Sequence, residues 1–394
     1  MKFAHLADCH LGGWKERELQ DLNFFYFKKA IDKIIEEKVE FVLFAGDLFD
    51  SAYPPIEILK EAFGEFRRLK ENGINSFIIP GSHDFSSSGK TFLDVLEKAG
   101  LCLNVQNYEL DEKGFIKLLP TIFKDIAIFG YGGKKSGMEI EDLKKIRLSD
   151  IYPFTILMIH TTLKDVIGDI PMNYIEKEKL PLANYYALGH IHKVFEKREK
   201  NSVFVYPGPI FPNNFQELWD LKGGSFNINE IEKGQIRTKN YKINLKEIVT
   251  LELELDNSFT ATNEIIAKID KMNLTDKIFL LKLKGEILFG DISDILFNEI
   301  EKFVKKKNAF CFLKNTSSLI KKDKDLQINI ENLEKTEEKI LEEYKKSNKD
   351  FSSILEDLVN ILSIEKNEDE KNNIFEQRLY FELKKILEKE GIII

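Results

Sequence analysis

Five short clusters in the first half of the chain carry the residue types that hold metal ions. Asp8-Cys9-His10, followed by Leu11-Gly12, sets a carboxylate and an imidazole two positions apart, so both can face one ion. Gly46-Asp47-Leu48-Phe49-Asp50 offers a carboxylate directly after a glycine, where the backbone can come close and Asp47 can bridge two cations. Gly81-Ser82-His83-Asp84, then His160, then Gly189-His190-Ile191-His192 complete the set. Mixed imidazole and carboxylate donors suit manganese, zinc or iron, and without a cysteine cluster a structural zinc site is not indicated. Any one of these motifs alone is a weak signal. Their specificity lies in five of them occurring in order, each after an apolar run.

Those apolar runs are the elements that must position the donors. Lys2 to Ala7, Phe41 to Ala45, Ser76 to Ile79, Thr155 to Ile159 and Tyr185 to Leu188 are short and continuous, as expected of strands buried on both faces. Helical stretches, Gln20 to Lys38 and Pro55 to Asn72, separate the early ones, the second opened by Pro55 and closed by Asn72-Gly73. Alternating strands and helices predict a layered α/β core, in which chemistry collects beyond the carboxyl ends of the strands. After about Leu245 the pattern changes. Val249, Leu251, Leu253 and Leu255 alternate with polar residues, and further helix-like and strand-like stretches follow to Leu313, predicting a small α+β domain. From Lys321 the chain becomes strongly charged. Phe351, Ile354, Leu355, Leu358, Val359 and Leu362 then recur at helical spacing, as do Phe375, Leu379, Leu383 and Ile386. The expected boundaries are 1–245 for the α/β domain, 246–320 for the small domain, 321–348 for a charged linker and 349–394 for helices.

Composition bounds the function. The 394 residues exceed one ordinary domain, and 43% hydrophobic and 31% charged residues with 10 prolines describe a folded globular protein. Cys9, Cys102 and Cys311 are odd in number and widely spaced, which argues against a disulfide framework and for a reducing compartment. No apolar run reaches the roughly 20 residues of a membrane helix, and motif chemistry begins by Asp8, so a cytoplasmic protein without a signal peptide is expected. A net charge of −8 argues against indiscriminate coating of nucleic acid and confines any such contact to a patch or a metal-lined groove.

The ordered motifs resemble those of the calcineurin-like metallophosphoesterase superfamily, DxH, GDxxD, GNHD or GNHE, H and GHxH. Within it the chain is similar to the nuclease subunits of DNA double-strand-break repair complexes of the SbcD type. His5-Leu6-Ala7-Asp8-Cys9-His10-Leu11-Gly12, the Asp47 motif and Tyr186 through Lys193 carry that likeness, and Tyr206-Pro207-Gly208, Phe215, Glu217, Lys222 and Gly223 extend it. The resemblance covers about the first 225 residues. It implies a layered metallophosphoesterase sandwich with a small capping domain and carboxyl-terminal helices. It also implies two divalent ions, with Mn²⁺ expected: one held by Asp8, His10, Asp47 and His192, the other by Asp47, Ser82, His160 and His190. Such a pair about 4 Å apart clamps a phosphate and activates water. His83 would face the scissile phosphate, with Asp84 fixing its orientation.

The implied activity is metal-dependent exonuclease or endonuclease cleavage of DNA, regulated by a coiled-coil SMC-like ATPase of the SbcC type. The last helices would bind that ATPase, and a homodimer would form through helices near the amino terminus. Two alternatives stand beside it: a small-substrate phosphatase or cyclic-nucleotide phosphodiesterase, and a DNA-tethering scaffold with a weakened second metal site. The chain departs from the family at Ser82, where asparagine supplies an amide oxygen. It departs again at Asp50, where some members carry a second catalytic histidine, and at Pro209, where serine is common. Lys15, Arg17, Lys134, Lys135 and Lys193 are candidate nucleic-acid contacts, with a merely solvated loop as the competing explanation. His5 is expected to be a packed or supporting histidine, and Cys9 to fill space between two ligands.

Overall fold

The computed structural model describes residues 1–86, 91–168, 170–321, 361, 364 and 372–389. The chain begins with β1 (Lys2–Leu6), α1 (Arg17–Glu36), β2 (Phe41–Ala45), α2 (Ile56–Glu71), β3 (Asn75–Ile79), α3 (Phe92–Lys98) and β4 (Leu103–Asn104). It continues with β5 (Tyr108–Leu110), β6 (Ile116–Leu118), β7 (Thr121–Phe123), β8 (Ile126–Tyr131), α4 (Glu139–Leu143), β9 (Ile146–Leu148) and β10 (Phe154–His160). Then come α5 (Lys164–Ile167), β11 (Tyr185–Gly189), β12 (Val194–Glu199), β13 (Ser202–Pro207), α6 (Phe215–Leu221), β14 (Gly224–Glu232) and β15 (Gln235–Ile243). Two six-stranded sheets result, in the orders β15-β14-β1-β2-β3-β4 and β12-β13-β11-β10-β8-β7.

The continuous apolar runs are explained by burial on both faces. In β2, Phe41, Leu43 and Ala45 join the core between the two sheets, whereas Val42 and Phe44 join the core under α1 and α2. β1 alternates in the same way, so Phe3 and Ala7 belong to the inter-sheet core while Ala4 and Leu6 face the helices. His5 lies between them in the inward phase, fully buried, with Nδ1 3.0 Å from the Tyr185 hydroxyl of the facing sheet. β8, β10, β11 and β13 contribute the opposite wall of that core, and their outer faces pack beneath α4 and α5.

A three-stranded sheet follows, formed by β16 (Ile248–Glu254), β17 (Ile278–Ile287) and β18 (Cys311–Lys321), with α7 (Ser258–Asp270) and α8 (Phe297–Lys306) between them. Ile278 and Leu280 of β17 join the core under α1, while Phe279, Leu281 and Leu283 pack with α7 and α8. Met1–Ile320 therefore closes as one compact unit, and Lys321–Ile394 is a second. In that second unit α9 (Asn372–Lys389) carries Phe375, Leu379 and Leu383, all half-buried, and the exposed Tyr380 and Phe381. Ile386 lies within the span of α9. The expected linker beyond Lys321, and Phe351, Ile354, Leu355, Leu358, Val359 and Leu362, fall outside the described residues.

Burial lowers the His5 imidazole from 6.5 to about 3. Because its folded value lies below its unfolded one, protons are taken up on unfolding, and stability is lost as pH falls from about 6.5 toward 3. At pH 5 the difference from the unfolded value corresponds to about 2 kcal/mol. In chelator-treated protein, the loss of stability between pH 7 and pH 5 should be smaller by about that amount in His5→Gln than in the native chain. Equal losses in urea titrations at the two pH values would contradict this assignment.

Candidate metal centre

Every candidate ligand sits where a strand ends. β1 delivers Asp8 and His10, β2 delivers Asp47, β10 ends on His160, and β11 leads into His190 and His192. β3 ends just before Ser82, His83 and Asp84. β1, β2 and β3 belong to one sheet and β10 and β11 to the other, so the site closes between the carboxyl edges of both. The turns are tight: Asp8, His10, Asp47 and His190 have positive φ angles of 52°, 42°, 50° and 94°. Non-glycine residues held in this region store strain that the surrounding fold must support, a feature that concentrates at functional sites. Two glycines make room. A Cβ on Gly46, which has φ +89°, would lie 2.2 Å from His160 Nδ1, and one on Gly81 would lie 2.1 Å from Asp47 Oδ1.

The side chains form the donor clusters Asp8–His10–His192 and Asp47–His160–His190, and a third group joins His10 to Asp50 and His83. His10 places Nδ1 2.9 Å from Asp50 Oδ1, and His192 places Nδ1 2.9 Å from Glu217 Oε1. With protons assigned to those Nδ1 atoms by their carboxylate partners, both Nε2 atoms are lone-pair acceptors, and they face each other at 3.1 Å. The second cluster repeats the pattern. His160 Nδ1 donates to the Ala45 carbonyl at 2.9 Å, leaving Nε2 3.1 Å from Asp47 Oδ2 with no hydrogen-bond partner. Asp8 Oδ2 is likewise buried and unpartnered, while Oδ1 accepts from the His190 N–H at 2.8 Å.

Acceptors turned toward acceptors in a buried space require protons or metal cations between them. Two divalent ions fit: one between His10 and His192 with Asp8, the other at His160 and His190. Asp47 stands between the clusters, its Oδ2 3.1 Å from His160 Nε2 and 3.7 Å from His10 Nε2. Ser82 directs its hydroxyl at that same Asp47 oxygen from 3.4 Å. Asp50 and Glu217 hold the far sides of two imidazoles, as carboxylates do for metal-ligating histidines. Their roles went unrecognised in the sequence, although the second aspartate of Gly46-Asp47-Leu48-Phe49-Asp50 was a signal for one of them.

The electrostatics of the metal-free cluster follow the same geometry. Burial raises the Asp47 carboxyl, but the His160, His10 and His83 charges outweigh it and hold it far below the ordinary range. Burial lowers His160, yet the adjacent Asp47 carries it up to about 10, and Glu217 against the same desolvation carries His192 up to about 9. His190, desolvated and beside His160, is lowered to about 4.

One expected contact is corrected. Asp84 does not orient His83: its oxygens accept from the backbone N–H groups of Leu48, Phe49 and Gly81 at 3.0–3.1 Å. A buried carboxylate takes the donors of the turns around it, and so Asp84 ties the Asp47 turn to the His83 turn. His83 instead rests on Asp50, with Nδ1 2.8 Å from the Asp50 carbonyl and 3.5 Å from its carboxylate. Its ring stays half exposed, beside a cavity of about 590 Å³ lined by Tyr53, Ser82, Phe85 and Lys135 among others. Of the candidate nucleic-acid contacts, Lys135 lines this cavity and Lys193 is exposed directly after His192. Lys134 is engaged by Asp142 and lies over the Tyr131 ring. Lys15 and Arg17 are exposed on a separate groove beside α1 and the start of α2.

Residues 1–194 match the family model described as calcineurin-like phosphoesterase. The chain is 32% identical over 324 residues to the DNA double-strand break repair protein Mre11 of Methanocaldococcus jannaschii, covering 76% of this chain and 82% of that one. To the Methanococcus maripaludis protein of the same name it is 28% identical over 379 residues, 88% and 91% of the two chains. To that of Archaeoglobus fulgidus it is 30% identical over 282 residues, 64% and 60%. The chain belongs to the calcineurin-like phosphoesterases, in the branch formed by these Mre11 proteins. It is a metal-dependent phosphoesterase, and among the described residues no helix is long and apolar enough to cross a membrane.

Two outcomes follow from this geometry. His160 and His192 carry protons at pH 7.5 in the metal-free chain, so cation binding should release close to two protons per chain. Their raised values mean that their charged pairs stabilise the metal-free fold below about pH 6.5 and lose that contribution as pH rises through about 9 to 10. Calorimetry in buffers of different ionisation enthalpy measures the release, which should decline as pH rises through about 9 to 10; buffer-independent heats at pH 7.5 would refute it. Ser82→Asn should tighten the weaker Mn²⁺ site by roughly ten-fold, since an amide oxygen reaches further and donates better than a hydroxyl. Unchanged affinity and turnover would show that Ser82 does not limit the site.

Proposed function

We propose that this chain is a manganese-dependent nuclease that hydrolyses phosphodiester bonds at DNA breaks, in company with an SMC-like ATPase. The observation that carries it is the pair of cation-demanding contacts, His10 to His192 and His160 to Asp47, sharing Asp47 beside a half-exposed imidazole. When bound, the two cations supply the charge that clamps a phosphate and acidifies the attacking water. Asp8, His10 and His192 would hold one of them and His160 and His190 the other, with Asp47 available to both and Ser82 beside the second. His83, its Nδ1 donating to the Asp50 carbonyl, presents Nε2 to the scissile phosphate and delivers a proton to the leaving oxygen. Asp50 thereby links ligand His10 to His83 in a single brace.

The DNA assignment draws on the double-strand break repair relatives, and Lys135, which lines the cavity, and the exposed Lys193 would meet the phosphates. The ATPase would take the stripe formed by Phe375, Leu379 and Leu383 on α9, in the manner of a helix laid into an apolar groove. A homodimer would close over the apolar groove between α2 and α3, lined by Ile56, Leu59, Phe63, Phe92 and Val95, where Ile56 is 75% exposed.

Incubation of the chain with Mn²⁺ and linear DNA, single-stranded DNA or bis-p-nitrophenyl phosphate tests the proposal. The native chain should cleave DNA, and His83→Ala should lower that rate by about 10²- to 10⁴-fold with metal binding retained. Cleavage of the small ester alone would make it a small-substrate phosphodiesterase, and DNA binding without cleavage would make it a scaffold.

A further inference from the structure

Beneath the metal centre, a buried side-chain contact joins the two sheets, in addition to His160 Nδ1 on the Ala45 carbonyl and Ser225 Oγ on the Pro207 carbonyl. His5 of β1 and Tyr185 of β11 are both fully buried, with the imidazole Nδ1 3.0 Å from the phenol oxygen and the rings 5.8 Å apart at 81°. The other imidazole nitrogen, Nε2, is buried without a hydrogen-bond partner among the described residues, so the Tyr185 hydroxyl is the one polar partner of His5. The fully buried Asn229 of β14 lies beside the same hydroxyl without a well-aligned bond. Around this group the wall is made of Phe3, Phe41, Ile156, Ala187 and their neighbours. Such apolar contact is non-directional and by itself selects no single alignment of particular groups. A hydrogen bond between fixed rings is directional, and fixes register as well as separation.

The two strands it joins are those that carry the ligands of one cation. His5 stands three residues ahead of Asp8 and five ahead of His10, and Tyr185 five ahead of His190 and seven ahead of His192. Asp8, His10 and His192 form a single donor cluster, yet the first two belong to one sheet and the third to the other. We infer that His5 and Tyr185 are positioning residues, a buried tie that holds β1 and β11 in the register at which ligands from both sheets converge. This rests on the two-metal phosphoesterase assignment and extends it to residues that touch no ligand ion or substrate.

The test uses the full chain and three variants, Tyr185→Phe, His5→Leu and the pair together. Each is measured for Mn²⁺ affinity by calorimetry, for the spin-coupled Mn²⁺ pair by electron paramagnetic resonance, for urea stability without metal, and for turnover of bis-p-nitrophenyl phosphate. Each single variant leaves a buried polar group without its partner and should lose both stability and metal affinity, the latter by about ten-fold, as for loss of a group that orients a ligand. Turnover at saturating metal should fall with KM unchanged. The double variant removes both polar groups and should regain stability while its metal affinity and coupled-pair signal stay low. A double variant that regains native metal affinity along with its stability would overturn the inference, as would a Tyr185→Phe chain with native affinity and signal. Absence of any coupled pair in the native chain would instead overturn the two-metal assignment itself.

Discussion

The structure turns on a conflict of like groups. Four imidazoles and two carboxylates converge in a space almost closed to water, and the hydrogen bonds on their outer sides leave acceptors facing acceptors on the inner side. Without a cation, protons must serve, which is why His160 and His192 are carried up while Asp47 is driven down. An arrangement of this kind costs folding free energy unless the intended cations arrive. The remainder of the molecule supplies the rigidity that keeps the groups from relaxing apart.

That rigidity has identifiable sources. Strands buried on both faces cannot shift register without exposing one set of side chains, so β1, β2, β10 and β11 end at fixed heights. Asp84, saturated by three backbone donors, fastens the Asp47 turn to the His83 turn. Gly46 and Gly81 permit approaches that any Cβ would prevent. Positive φ angles at four of the converging residues place these turns in a sparsely populated backbone region that the surrounding fold supports.

Much of this was legible in the sequence because burial on both faces writes itself as uninterrupted apolar runs. The five expected strands occur as β1, β2, β3, β10 and β11, and the donors follow them directly. The edge strand β12 was not legible: Val194 to Glu199 holds two apolar residues followed by four charged ones and lacks a continuous run. The partners of the imidazoles were also hidden, for a different reason. Asp50 reaches His10 across 40 residues and Glu217 reaches His192 from α6, contacts that no local spacing specifies. The misplaced role of Asp84 has the same origin, since adjacency to His83 in sequence suggested a contact that the backbone donors of two other turns had already taken.

The central claim is that this geometry is built for two cations sharing Asp47. Anomalous diffraction at the manganese edge, from crystals of the chain grown with Mn²⁺, tests it most directly. Two peaks are expected, one coordinated by both His10 Nε2 and His192 Nε2, the other by His160 Nε2, with Asp47 touching each. A single peak, or density placed away from Asp47, would contradict the account.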